Sequence, residues 1–179
     1  MIHVSEPFGT APTACGTPLQ EKAYGALLKL NIPFQRVETD EVVTMEDCAA
    51  VNRKLDMKMV KTLFLCNRQQ TQFYLLVIAG DKPFKAGEFA GRLGVPRLSF
   101  APAERMEAML GTRIGAATVF SALLDSAKEV RFAVDEEVAA QEWYGCSDGT
   151  TTGYLKIRTA HVLGDLLPFA GHRPLLVRA

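Results

Sequence analysis

Val60-Lys61-Thr62-Leu63-Phe64-Leu65-Cys66 and Phe73-Tyr74-Leu75-Leu76-Val77-Ile78-Ala79 are two mostly apolar runs joined by the polar Asn67-Arg68-Gln69-Gln70-Thr71-Gln72. Runs this short, rich in branched and aromatic residues and bounded by polar residues, read as two strands of a hairpin at the centre of a sheet, apolar on both faces. A charged residue near the start of the first run is out of keeping with such burial. Lys61 must reach water, a partner or a cleft.

Upstream of the hairpin, Thr17-Pro18-Leu19-Gln20 is a helix start. Thr17 is the N-cap, Pro18 occupies the first turn and Gln20 is placed to close a capping box. Leu19, Ala23, Leu27 and Leu30 form its apolar stripe, Pro33 ends it, and Phe34 to Glu38 follows as a short strand. Thr44 caps a second helix to about Leu55. Residues 1–16 mix Gly, Pro, Thr and Ser without periodicity and read as an N-terminal tail or a strand laid on the domain; residues 17–179 read as one domain.

Downstream, Gly80-Asp81-Lys82-Pro83 breaks the second strand, and short helices are predicted over Ala86 to Leu93 and Pro102 to Leu110. Glu129 to Asp135 and Gly153 to Arg158 alternate as strands. A last helix, Thr159 to Ala170, is closed by Gly171 and leads to a strand over Pro174 to Arg178. This order lacks the steady strand–helix alternation of a doubly wound parallel sheet. The expectation is a mixed α/β (α+β) domain with a curved, largely antiparallel mixed sheet surrounded by helices.

The 179 residues suffice for one core, and 20 basic against 20 acidic side chains leave no net charge, so attraction to nucleic acid must come from a local basic surface. Cys15, Cys48, Cys66 and Cys146 are scattered and form none of the clusters that close a zinc site; they read as reduced thiols, with no metal or other cofactor expected. Without a secretory start or an apolar run of about 20 residues, a cytoplasmic location and no membrane partner are expected.

Common catalytic signatures are missing: there is no GxSxG, HExxH, P-loop or dinucleotide fingerprint. Arg53, Lys54, Lys58 and Lys61 against Asp56 leave a local charge of +3. One reading is a cation aimed at phosphate or an oxyanion beside a basic collar for a nucleic-acid backbone; the other is a strand-end lysine snorkelling to water. Gly111, Gly115, Ala116, Ala117 and Thr118 form a small-residue segment whose backbone N–H groups can face an oxygen, or simply a turn. The stretch Gly145 to Gly153, with Ser147, Thr151 and Thr152, reads as a loop that lines a polar pocket or only connects two apolar elements. Cys146 as nucleophile, or Ser147 with His161 and Asp148 as a triad, are further readings; a buried structural thiol is the alternative for Cys146.

Taken in order, these strings resemble a known family, the YbaK or prolyl-tRNA synthetase-associated editing domains, and within it the ProX (PrdX) branch. Lys61-Thr62-Leu63-Phe64-Leu65 with Tyr74-Leu75-Leu76-Val77 is similar to the family's hairpin. Gly80-Asp81-Lys82, Leu93-Gly94-Val95-Pro96-Arg97-Leu98-Ser99-Phe100, Leu110-Gly111 with Gly115, Thr118 and Phe120, Leu155-Lys156-Ile157-Arg158-Thr159 and Gly171-His172-Arg173-Pro174 are similar to its later motifs. The likeness runs from about Leu19 to the C-terminus.

The resemblance implies hydrolysis in trans of the ester of mischarged tRNA, with alanyl-tRNA(Pro) as the typical substrate, by water attack in a small metal-free pocket. It implies Lys61 and Gly115 as catalytic groups and Thr62, Gly111, Ala116, Ala117, Thr118, Ser147, Thr151 and Thr152 at the substrate; the basic collar of Arg53, Lys54 and Lys58, read from charge, would then meet the tRNA backbone. Partners would be the aminoacylated 3′ end of tRNA and prolyl-tRNA synthetase, not DNA. Two departures bear on specificity. Thr62 replaces the usual asparagine, and Ser147-Asp148 stands where a His-Pro pair is frequent. A non-catalytic tRNA- or synthetase-binding module, or a deacylase for seryl-, threonyl- or cysteinyl-tRNA, are the other expectations.

Overall fold

The computed structural model describes residues 1–179. The central hairpin forms as the sequence predicts: β2 (Val60–Asn67) pairs antiparallel with β3 (Phe73–Ala79), Lys61 opposite Ile78 and Leu65 opposite Tyr74. Every residue of β3 is buried. Upstream lie α1 (Pro18–Lys29), β1 (Phe34–Glu38) and α2 (Met45–Leu55). The Thr17 hydroxyl accepts the Gln20 amide at 3.1 Å, while the Gln20 side-chain carbonyl reaches back one residue further than a capping box requires, to the Gly16 amide at 2.7 Å. At α2 the box is reciprocal: Thr44 accepts from the Asp47 amide and the Asp47 carboxylate accepts from the Thr44 amide.

Beyond the hairpin come α3 (Ala86–Leu93), β4 (Leu98–Phe100), α4 (Ala103–Leu110), two 3₁₀ turns, β5 (Val130–Asp135), α5 (Glu136–Ala139), β6 (Trp143–Ser147) and β7 (Gly153–Arg158). The chain ends with α6 (Thr159–His161), a π-helical turn (Val162–Leu166), α7 (Leu167–Phe169) and β8 (Leu175–Val177). The sequence pattern predicts a uniform last helix, and the structure corrects this. Pro168 carries no N–H and its ring crowds the carbonyl four residues earlier, which accounts for a widened turn just before it.

The strands are shared between two sheets, and the mixed, largely antiparallel character holds. One is five-stranded in the order β4-β2-β3-β5-β8, with β3, β5 and β8 mutually parallel; the other is three-stranded and antiparallel in the order β1-β7-β6. A parallel bridge between Met59 and Gly145 joins the two sheet edges. The N-terminal segment lies along β1 through bridges Val4 to Thr39 and Phe8 to Arg36.

Two strands depart from the sequence pattern. β4 has three residues, too few for a periodic signal. Gly145, Cys146 and Ser147 read as loop but belong to β6, and only residues 148–152 connect it to β7. Gly145 explains the misreading. A Cβ there would stand 2.6 Å from the Met57 sulfur and 3.1 Å from the Lys58 carbonyl, so glycine marks a close approach of the sheets, not a turn.

Two apolar cores flank the hairpin. Phe64, Cys66, Leu75 and Val77 pack on one face with α1, Phe120, Phe132 and Leu155; Leu65, Tyr74, Leu76 and Ile78 pack on the other with Phe89, Ala90 and Leu98.

Candidate active site

β4 covers only the end of β2, from Leu65 to Asn67, so the first half of β2 has an open edge. The Phe64 carbonyl accepts from the Ala101 amide at 2.9 Å and closes the covered part. Alternate residues of a strand direct their backbone groups to opposite neighbours, so Lys61 and Leu63 address β3 and Thr62 presents its N–H and C=O to the uncovered side.

A cavity of about 460 Å³ occupies that side. Its walls are β2 from Val60 to Phe64, the end of β4 with Phe100 and Ala101, the turn Ile114, Gly115 and Ala117, and Cys146 and Ser147 of β6; Val42, Val43, Cys48, Met59, Met106 and Tyr154 complete it. The lining is mainly apolar, and Lys61 is the one charged residue in it. Its ammonium donates to the Lys82 carbonyl at 3.0 Å, in the turn after β3, leaving two further donors. Lys61 also borders a second hollow of about 440 Å³, shared with Met45, Asn52, Lys58 and Asp81. It thus stands between two openings.

The opposite wall is held by its own hydrogen bonds. Thr118 donates to the Ser147 carbonyl at 2.7 Å, Thr112 to the Gly149 carbonyl at 3.0 Å, and Arg113 to Thr151 at 3.1 Å and Glu41 at 2.9 Å. The Ser147 hydroxyl accepts from the Gly149 amide at 2.9 Å and faces the Thr150 carbonyl at 3.0 Å. Beneath it, the buried Asp148 carboxylate accepts from Tyr24 at 2.8 Å, Gln20 at 2.9 Å, and the Thr150 hydroxyl and amide at 2.7 and 3.1 Å. Gly153 permits this anchorage, since a Cβ there would lie 2.2 Å from an Asp148 oxygen. Gly115 turns the chain at φ +94°, which a side chain would strain.

Of the residues singled out in sequence, Lys61, Thr62, Gly115, Ala117 and Ser147 therefore line one cavity. Ala116 and Thr118 are buried behind its wall, Thr151 is a buried partner of Arg113, and Gly111 ends α4 with φ +66°. Thr152 borders a different, polar hollow with Arg36 and Asp148. In the basic collar, Arg53 is exposed, Lys54 is paired with Glu6 at 2.5 Å, and Lys58 borders the second hollow. Sequence reasoning does not place Val42, Val43, Cys48, Phe100 and Ile114 at the site: Cys48 reads only as a reduced thiol, Phe100 only as the end of a motif, and Val42, Val43 and Ile114 carry no linear signal.

The nucleophile readings gain no support from the geometry. Burial first, and then the Asp148 charge, push the Cys146 thiol well above its ordinary range, so it stays protonated near neutrality. The Ser147 hydroxyl bonds to backbone, while His161 bonds to Asp165 at 2.7 Å. His172 packs against Phe132 with the rings tilted at 58°, ring centres 4.5 Å apart.

The fold agrees with what comparison with known proteins finds. Residues 39–164 match the family model of the aminoacyl-tRNA editing domain, and the chain belongs to that family. It is 28% identical over 176 residues to Prolyl-tRNA synthetase associated domain-containing protein 1 of Danio rerio, covering 97% of this chain and 94% of the relative. It is also 28% identical over 113 residues to Prolyl-tRNA editing protein ProX of Acetoanaerobium sticklandii, covering 63% of this chain and 69% of the relative. A solved structure described as a candidate trans-editing enzyme for prolyl tRNA synthetase shares the fold, with a TM-score of 0.64 at 16% identity over 92% of this chain and 99% of that one. No helix is long and apolar enough to cross a membrane.

Proposed function

We infer that the protein is a trans-acting aminoacyl-tRNA deacylase whose substrate is the ester of a mischarged tRNA, alanyl-tRNA(Pro) foremost, and that it works in the cytoplasm alongside prolyl-tRNA synthetase. The observation that carries this reading is one lysine as the sole charge in a largely apolar cavity, between an open strand edge and the Gly115 turn, in a chain of the editing family. Water attacks the ester carbonyl, the carbonyl oxygen becomes an oxyanion, and collapse expels the ribose oxygen, giving free amino acid and uncharged tRNA. The Lys61 ammonium and the backbone N–H groups of Thr62 and the Gly115 turn are the donors available to that oxyanion, each kind contributing about 3 kcal/mol in comparable sites.

The apolar lining favours a small uncharged side chain. A synthetase pocket built for proline rejects alanine weakly, since small apolar differences contribute about 1 to 3 kcal/mol, and a second hydrolytic sieve answers that shortfall. Gly111, Ala116, Thr118 and Thr151 shape and brace the site, Thr152 stands apart from it at the neighbouring polar hollow, and Arg53, Lys54 and Lys58 border the approach to the cavity.

The test is deacylation of alanyl-, seryl-, threonyl- and cysteinyl-tRNA measured side by side. Fastest release from alanyl-tRNA(Pro) is expected. Faster release from seryl-, threonyl- or cysteinyl-tRNA keeps the deacylase and changes its specificity. Tight binding of every tRNA without release of any amino acid makes the protein a binding module instead, the reading that the Thr62 and Ser147 replacements favour.

A further inference from the structure

The charges of this neutral chain are unevenly placed. All five strands of the larger sheet bring an end to the same side as the β2–β3 turn: β2 finishes there, and β3, β4, β5 and β8 begin there. Arg68, Arg97, Lys128, Arg131 and Arg173 belong to or adjoin those ends, all exposed, and Glu129 is the acid among them. None of the five cations takes part in an ion pair, in contrast to Lys54, Lys82, Arg113 and Arg158 elsewhere. Two hollows meet at Arg131, one of about 250 Å³ with Asn67 and Gln72, the other of about 260 Å³ with His172 and Arg173, and no carboxylate lines either.

The basic collar on α2 offers less. Lys54 is held by Glu6, and Glu46 and Asp47 occupy the first turn of the same helix. Unpaired guanidinium groups next to amide side chains are suited to phosphate oxygens.

A route joins this cationic end to the cavity. β4 is the edge strand beside β2; Arg97 precedes it and Phe100 ends it at the cavity. Phe100 is 62% exposed although its ring leans on Phe84, ring centres 6.1 Å apart. An exposed aromatic ring leading to arginines is the pattern that binds single strands by base stacking and phosphate contact. From Thr62 to Asn67 along β2 is about 17 Å at the rise of an extended strand.

We propose that Arg68, Arg97, Arg131 and Arg173 take the phosphodiester backbone of the tRNA acceptor arm, and that Phe100 stacks a base of the single-stranded 3′ end between them and the cavity. The proposal rests on the deacylase reading, and it moves the main electrostatic anchor of the RNA from the α2 collar to the opposite end of the sheet.

The test uses Arg97→Gln/Arg131→Gln/Arg173→Gln, the single variants Arg97→Gln and Arg131→Gln, and Arg53→Gln/Lys58→Gln, each with its melting temperature. Affinity for uncharged proline tRNA is followed against salt concentration. The triple variant is expected to bind more weakly, with a salt slope smaller by about 1 for each phosphate no longer neutralised, and the single variants by correspondingly less. Should the triple variant melt early, the single variants carry the test. An unchanged slope in the sheet-end variants, or a loss confined to Arg53→Gln/Lys58→Gln, overturns the proposal. Retained RNA affinity with lost binding to prolyl-tRNA synthetase overturns it too and makes this end a protein interface. Hydrolysis of 3′-alanyl-adenosine by the unaltered protein reads the cavity separately. If that ester survives while the sheet-end variants lose RNA affinity, the deacylase reading fails and the RNA surface stands.

Discussion

The two walls of the cavity are built from the same kinds of atoms and use them in opposite ways. On the Gly115 and Ser147 side, the hydroxyls of Thr112, Thr118 and Ser147 are engaged with backbone carbonyls, and Asp148 ties the wall to α1 through Tyr24 and Gln20. On the β2 side, Thr62 presents backbone groups at an open edge and Lys61 keeps donors beyond its single bond to Lys82. The wall richer in hydroxyls is the scaffold. The wall that reads as plain strand holds the groups free to act.

That contrast breaks most visibly at Lys61. Lys61→Ala is expected to lower kcat for deacylation about a hundredfold or more, the usual cost of losing an oxyanion donor, with little change in melting temperature. Asp148→Ala tests the other wall and should cost about 2 to 3 kcal/mol in denaturant unfolding, because Tyr24, Gln20 and Thr150 lose their acceptor. A smaller effect is expected from Ser147→Ala, which removes the bracing hydrogen bonds to Gly149 and Thr150, about 1 kcal/mol each, and no reacting group, so a loss of rate approaching that of Lys61→Ala would return Ser147 to the role of nucleophile.

The smallest effect concerns pH and lies far from either wall. Burial holds the His172 pKa below its ordinary value of 6.5, so the unfolded chain binds the proton more readily than the fold does. The contribution is fully present above 6.5 and is lost as pH falls from there through the lower folded value. His172→Phe, which keeps an aromatic ring against Phe132, should flatten that part of the stability profile.

The hairpin, both helix caps and the segment limits of α3 are legible in the sequence because each rests on local rules: two apolar runs with a polar joint, Thr17 and Thr44 before their helices, Gly94 after its own. β6 is not legible, since Gly145-Cys146-Ser147 looks like a loop until the close approach of Met57 to Gly145 is known. Lys61, Thr62, Gly115, Ala117 and Ser147 carry a signal through chemistry or resemblance, and the fold brings them to one cavity. Ile114 carries none, and Phe100 enters only as the last residue of a motif in the resemblance, with no role attached. They are exposed apolar residues on separate elements, and only the fold puts them at a common opening.

On this reading an acyl-nucleotide end is held between the open edge of β2 and the Gly115 turn. Titration with 3′-alanylamino-adenosine, the amide counterpart of the ester, followed through the backbone amide resonances, tests this directly. Saturable shifts at Thr62, Gly115 and Ala117 together, weakened in Lys61→Ala, are expected. Shifts that leave those three amides untouched and gather elsewhere, around Asp81 or Thr152 for example, would contradict it.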